Sequence, residues 1–212
     1  MIARELVENF EDKEISQLVL EYYDFAGGIS LGMQQCLDEV KQLKDRLNGR
    51  KFKKFVEIGR DEGGSLFLFS KLFLEPGAHI FTIDVRDVMP GRAVINRLAK
   101  DGFQVHPVNA FSYDVNLAGF ECDLLHIDGD HSYESVKGDF YKYFPTLVPG
   151  GVCFMHDTLL WPGAIKFREE LEQSKLYNMA TFKGHLLVSG DFWVKPVNDE
   201  KQSTGITMVV KP

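Results

Sequence analysis

An apolar run ends in acids and a histidine at Leu124-Leu125-His126-Ile127-Asp128-Gly129-Asp130-His131-Ser132-Tyr133-Glu134. Such a run reads as a buried strand whose C-terminal end emerges in a polar pocket, the edge at which open α/β sheets bind ligands. A second acid, Asp157, follows the apolar run Val152-Cys153-Phe154-Met155 and His156. Asp128 and Asp157, at the ends of two predicted strands, would point into one crevice and share a hard divalent cation. His156 is a third ligand candidate, of a type that suits transition metals better than magnesium. His131 is suited to taking a proton, because imidazole titrates near neutrality. Read for structure alone, the same residues are a strand, an acidic turn and helix caps, with Asp157 capping His156. His126, inside the strand, is expected to be a hydrogen-bonded core residue.

A second cluster suits a nucleoside. Glu57-Ile58-Gly59-Arg60-Asp61-Glu62-Gly63-Gly64-Ser65 falls between a predicted strand and helix. Glycines there let a ligand approach the backbone, and the helix N-terminus favours an anionic group. Asp84 ends the next predicted strand, about 25 residues beyond Gly59, where a carboxylate can accept hydrogen bonds from ribose hydroxyls. A dinucleotide fingerprint would read GxGxxG, whereas three residues separate Gly59 from Gly63 and Gly64. Asn109 and Phe111, after the third predicted strand, are candidates for the adenine side, and a plain loop is the other reading.

Residues 14–25 carry apolar groups at helical spacing, and Gly27-Gly28 breaks the segment. Tyr22, Tyr23 and Phe25 on that stretch are assigned to the core. Met33, Cys36, Leu37, Val40, Leu43 and Leu47 form a second helical stripe that Asn48-Gly49 stops. From residue 54 the pattern changes to short apolar runs alternating with helical segments. Strands are predicted at 55–59, 80–85, 104–108, 122–128 and 152–155, with helices at 66–73, 93–99, 132–147 and 164–173. Pro149-Gly150-Gly151 reads as the turn before the fifth strand. Strand candidates at 177–182, 192–195 and 206–211 follow, with a polar loop at 198–203. This alternation predicts a Rossmann-like, doubly wound α/β fold with a mostly parallel sheet. It spans one domain, 1–212, with a helical N-terminal extension over 1–50 and a core over 51–212. Leu159-Leu160-Trp161-Pro162-Gly163 is a loop on which Trp161 either stacks on a ligand or packs against the sheet.

Composition narrows the partners. A formal net charge of −7 opposes a broad basic surface for nucleic acid. Three cysteines without CxxC spacing indicate neither a disulfide framework nor a structural zinc site, which favours a reducing compartment. The N-terminus lacks a secretory pattern, and no apolar run approaches the roughly 18 residues of a membrane span. A cytoplasmic protein is expected, without nucleic acid or membrane as partner, and a homo-oligomer stays open.

Taken together, Glu57-Ile58-Gly59, Gly63-Gly64-Ser65, Asp84, Ile127-Asp128-Gly129-Asp130-His131 and Pro149-Gly150-Gly151 resemble the class I S-adenosylmethionine-dependent methyltransferases over residues 50–160. Asp128 to Glu134, followed by a helix, Pro-Gly-Gly and His156-Asp157, is similar to the group of macrolide-sugar O-methyltransferases and cephalosporin hydroxylase-like proteins. The resemblance implies a seven-stranded sheet ending in an antiparallel hairpin, for which the C-terminal strands serve. It implies S-adenosylmethionine on Glu57, Gly59, Gly63, Gly64 and Ser65, with its ribose on Asp84 and its adenine near Asn109 and Phe111. It also implies a magnesium ion on carboxylates at Asp128 and Asp157, binding two neighbouring substrate oxygens. His156 departs from the group, in which an acidic residue commonly stands there, and this puts the metal in doubt. His131 and Asp128 would be catalytic, His131 as general base in methylation of a small hydroxylated metabolite such as a sugar. An NAD-dependent oxidoreductase and a noncatalytic nucleotide-binding protein are the alternatives.

Overall fold

Short runs of β-branched and aromatic residues alternate with helices along most of the chain, and the central runs become strands buried between helices, while the edge strands stay partly exposed. The computed structural model describes residues 2–26, 33–117, 119–188, 195–196 and 203–212. In chain order the elements are α1 (Ile2–Glu8), α2 (Lys13–Ala26), β1 (Gln35–Cys36), α3 (Leu37–Leu47), β2 (Phe52–Ile58) and α4 (Gly64–Phe73). They continue with β3 (Leu74–Asp84), α5 (Met89–Lys100), β4 (Gln104–Asn109), β5 (Cys122–Ile127), α6 (Tyr133–Tyr143) and β6 (Leu147–Met155). The last are α7 (Pro162–Ser174), β7 (Asn178–Phe182), β8 (Leu186–Val188), β9 (Lys195–Pro196) and β10 (Ile206–Val210).

Seven strands form one sheet in the order β4-β3-β2-β5-β6-β10-β7. β4 through β6 are mutually parallel, and β10 runs antiparallel to both β6 and β7. The chain order reverses between β2 and β5, so a crevice opens at their C-terminal ends, the usual ligand position in such sheets. Asp128 N–H donates to Ile58 carbonyl at 2.8 Å, holding the two strand ends together. Helices α2 to α5 cover one face with Val19, Leu43, Phe67 and Val94, and α6 and α7 cover the other with Phe140 and Phe167. Tyr22 and Tyr23 are buried there as expected, with Phe25 packed against them. Among the described residues, no helix is long and apolar enough to cross a membrane.

Several local expectations shift. The second helical stripe begins at Leu37 rather than Met33, because Gln35 and Cys36 are extended and pair with β8. Met33 also runs against α4 so closely that a Cβ on Gly64 would stand 2.6 Å from its Cα. Backbone approach and strand pairing override helical periodicity here. Pro149-Gly150-Gly151 lies inside β6, where the register with β5 shifts between Cys122 and Leu124. β7 and β10 pair antiparallel, but between them the chain contributes β8 and β9 to a second sheet with β1. The Gly27-Gly28 break, residues 192–194 of one strand candidate and residues 198–202 of the polar loop lie outside the described residues.

Glu39 on α3 secures the segment that enters β10. Its buried carboxylate accepts from Ser203 Oγ at 2.6 Å, Gly205 N at 2.9 Å and Thr204 Oγ1 at 2.9 Å. Removing it leaves buried donors without an acceptor, so Glu39→Ala is expected to destabilise the protein by about 2–4 kcal/mol. The check is the urea midpoint. A shift within the error of the wild-type curve would mean that solvent replaces the carboxylate.

Candidate active site

Gly59 closes β2 in the left-handed region, φ 87°, where glycine is tolerated. Its α-carbon lies against β5: a Cβ there would stand 1.9 Å from the Asp128 carbonyl oxygen. The turn that follows is held by Asp84 at the end of β3. Asp84 Oδ2 accepts from the N–H groups of Arg60 at 2.8 Å and Asp61 at 2.7 Å, and Oδ1 from that of Arg86 at 2.7 Å. The carboxylate expected to meet ribose thus also shapes the glycine turn.

These residues line a cavity of about 560 Å³ that also reaches Ser65, Phe111, Asp128, His131, His156, Asp157 and Trp161. Glu57, Gly63 and Asn109, expected at the cofactor, are not in its wall. Glu57 is fully buried behind the turn, where it accepts from Ser65 Oγ at 2.9 Å and Thr82 Oγ1 at 2.8 Å and so fixes the start of α4. Gly63 precedes α4 with φ 82° and faces the Val94 side chain. Asn109 Oδ1 accepts from Arg60 Nη2 at 3.0 Å. Gly64 and Phe111 do line the cavity, Phe111 half-exposed and stacked on Tyr113 at 5.0 Å.

At the other end, two strand termini bring four groups together. His131 Nε2 lies 2.9 Å from Asp157 Oδ2 and 3.5 Å from Asp128 Oδ1, at ion-pair distance but off the line of a straight hydrogen bond. His156 sits beneath, fully enclosed, with Nδ1 3.2 Å from Asp128 Oδ1 and 3.5 Å from Asp157 Oδ1. Burial pulls the His131 imidazole down, but the two carboxylates outweigh it and push it up to about 9. His156 is likewise raised against its burial by Asp128 and Asp157. Burial opposes ionisation of both carboxylates, yet the histidines, His156 foremost, hold them below the usual range. Asp157 itself is in the left-handed region, φ 58°, a conformation that non-glycine residues keep when the surroundings enforce it. Ser132 caps α6 by accepting from Ser135 N, and Asp130 accepts from both serine hydroxyls, so the loop carrying His131 is pinned. The Trp161 ring stacks on His131 at 5.5 Å.

The donors that suit a divalent ion differ from the set expected from sequence. Asp128, His131 and Asp157 each present a ligand atom, all within 4.8 Å of one another, whereas His156 lies outside that trio. The trio fits a divalent ion by donor type and spacing, with His131 making it more suitable for a transition metal than for magnesium. His126 is core as expected, edge-on to Phe69 at 5.0 Å, but among the described residues its ring nitrogens lack hydrogen-bond partners, and Nδ1 stands 3.5 Å from Glu57 Oε1. Sequence reasoning missed Gln35, Asp139, Leu187 and Thr204, all of which line the cavity. They come from segments with no motif of their own and meet through sheet pairing and helix packing.

A doubly wound sheet with this strand order, a glycine turn at its switch point and acids on adjoining strand ends defines the Rossmann-like class of nucleoside-binding folds. Within it, residues 56–158 match the family model described as a methyltransferase domain. That match covers just under half of the chain, and solved structures share its fold. The O-methyltransferase TomG from Streptomyces achromogenes, solved with SAM, is similar with TM-score 0.63 and 17% identity, over 96% of this chain and 92% of that one. The O-methyltransferase from Bacillus cereus, solved with SAH, gives TM-score 0.64 and 15% identity, over 100% of this chain and 98% of that one. A putative caffeoyl-CoA O-methyltransferase from Staphylococcus aureus gives 0.63 and 14%, over the whole of both chains. The uncharacterized protein y4gI of Sinorhizobium fredii (strain NBRC 101917 / NGR234) is 53% identical over 36 residues, 17% of this chain, and the match spans only 4% of that protein.

Proposed function

We propose that this chain is an S-adenosylmethionine-dependent O-methyltransferase acting on a small hydroxylated metabolite, with a sugar as the leading acceptor class. The observation that carries the reading is that the Asp84-held glycine turn and the Asp128, His131 and Asp157 cluster open into one cavity. The wall at Gly59, Gly64, Ser65 and Asp84 would hold the cofactor, with Glu57 and Gly63 shaping the turn from behind, and the α4 N-terminus favours its carboxylate. When bound, S-adenosylmethionine supplies an electrophilic methyl group on a sulfonium. Asp128 and Asp157 orient the acceptor hydroxyl for in-line attack, and His131 takes the hydroxyl proton at Nε2. A divalent ion on Asp128, His131 and Asp157 would instead lower the pKa of a bound hydroxyl. Three free buried cysteines suit the cytoplasm.

Titration calorimetry with S-adenosylmethionine, S-adenosylhomocysteine and NAD tests the reading. Binding of both sulfur compounds and none of NAD is expected. The bound protein should then methylate members of a panel of sugars and catechols, and EDTA separates the metal-assisted from the metal-free route. NAD binding with no response to either sulfur compound would overturn the proposal in favour of an oxidoreductase.

A further inference from the structure

One turn, from Asp157 to Gly163, meets His131 with a carboxylate, an indole and a stretch of backbone. Asp157 Oδ2 lies 2.9 Å from Nε2, at the edge of the imidazole. Trp161 lays its indole along the same ring, with 8° between the planes and 5.5 Å between centroids. The Asp157 carbonyl accepts from the N–H groups of Leu160 at 3.1 Å and Trp161 at 3.2 Å, so the turn fixes carboxylate and indole relative to each other. The χ2 torsion of histidine is broad, and a contact at the ring edge alone leaves the plane free to tilt. A second ring stacked on it removes that freedom.

The backbone contact is close. A Cβ on Gly163, in the first turn of α7, would stand 2.3 Å from the His131 carbonyl oxygen, 2.4 Å from Tyr133 N and 2.7 Å from Ser132 C. The loop that carries His131 and the start of α7 thus meet at a distance that only glycine allows. The turn is also anchored from outside the site. Thr158 N donates to the Gly205 carbonyl at 3.1 Å, Leu159 N to the Thr204 carbonyl at 3.0 Å, and Arg168 Nε to the Thr158 carbonyl at 3.1 Å. Trp161 nevertheless keeps 49% of its surface exposed. Turning that ring into the core would remove more apolar area from water, so core packing does not account for its place on the imidazole.

We infer that Trp161 is a positioning residue, which holds the plane of the His131 imidazole so that Nε2 stays turned toward Asp128 and Asp157, with Gly163 admitting the close approach. The inference rests on the reading of His131 as the general base. Proton removal needs that nitrogen within hydrogen-bond reach of the acceptor hydroxyl, and a misplacement of about 1 Å can cost about 100-fold in rate. Trp161 acts here through His131 and touches neither acceptor nor cofactor.

Two measurements test it, and because Trp161 is half-exposed its replacement leaves the core intact. Carbon relaxation of the His131 ring, assigned by its loss in His131→Ala, should show an ordered imidazole in the wild type and one mobile on the nanosecond scale in Trp161→Ala. For any sugar or catechol that the wild type methylates, Trp161→Ala should lower kcat by about 10- to 100-fold, with acceptor KM and S-adenosylhomocysteine affinity within about twofold. Trp161→Phe, which keeps a flat ring, should restore most of the loss. In the His131→Ala background the same change should cost no more than about twofold, because the residue it acts through is gone. A raised acceptor KM at unchanged kcat would make Trp161 an acceptor contact, and an equal loss in both backgrounds would show that it acts without His131. Either result overturns the inference, as does an imidazole equally ordered with and without the indole. The relaxation measurement needs no acceptor and decides alone where no compound is methylated. Wild-type activity in His131→Ala refutes the base reading itself, and the positioning role falls with it.

Discussion

His131→Ala is expected to lower kcat for methyl transfer by about 10²- to 10⁴-fold while leaving affinity for S-adenosylhomocysteine within about twofold. The imidazole stands beside Asp128 and Asp157 and makes no contact with Asp84, which holds the glycine turn through backbone N–H groups. Its replacement removes the proton acceptor and leaves the cofactor wall in place. The same geometry fixes the pH dependence. With its titration pushed up to about 9, His131 is mostly protonated at pH 7, and the neutral fraction that can act as base grows as pH rises. In metal-free protein, kcat/KM should therefore climb from pH 7 and level above about pH 9, and the variant should lose that limb.

Stability should move in the opposite sense. The folded value lies above the ordinary value of 6.5, so the stabilisation from this ion cluster is fully present below about pH 6.5 and is lost as pH rises through about 9. Urea unfolding of the two proteins across that window measures it: the wild type declines, and His131→Ala is flatter. A variant that keeps more than a tenth of the activity with the same alkaline limb would remove His131 as the base.

Gly59→Ala should abolish cofactor binding, weakening S-adenosylhomocysteine by about 100-fold or more, and cost about 3 kcal/mol or more of stability. Two effects coincide at this position. The left-handed backbone, φ 87°, already disfavours a side chain. The added methyl would also stand 1.9 Å from the Asp128 carbonyl oxygen, 2.4 Å from its carbon and 2.8 Å from Gly129 N. Backbone on both sides cannot yield as a flexible side chain can, so the ends of β2 and β5 must part. That displaces the turn held by Asp84 and moves Asp128 from its place beside His131. Gly77→Ala is the control, because Gly77 has φ 80° but open space around its α-carbon. It should cost about 1–2 kcal/mol and leave ligand binding unchanged. Equal behaviour of the two variants in calorimetry and urea unfolding would refute the close-approach argument.

Much of this site is legible from local pattern. A glycine after an apolar run, acids at the ends of three predicted strands and a helix after each turn are neighbours in sequence, and their meaning depends on strand and turn chemistry that acts over a few residues. The sequence by itself therefore determined the doubly wound class, the position of the glycine turn, and Asp84, Asp128, His131 and Asp157 as crevice residues. It could not assign the sides that face away. Glu57 belongs to the motif yet points behind the turn to Ser65 and Thr82, because alternate residues of β2 face opposite sides of the sheet. His131, not His156, completes the trio with Asp128 and Asp157, because the loop before α6 folds over the crevice while β6 carries His156 beneath it. Gln35, Asp139 and Thr204 reach the cavity from β1, α6 and the segment before β10. Only the tertiary structure decided these, since lateral strand order and helix packing are settled by burying apolar faces between segments far apart in the chain, and single-residue patterns carry no record of that choice.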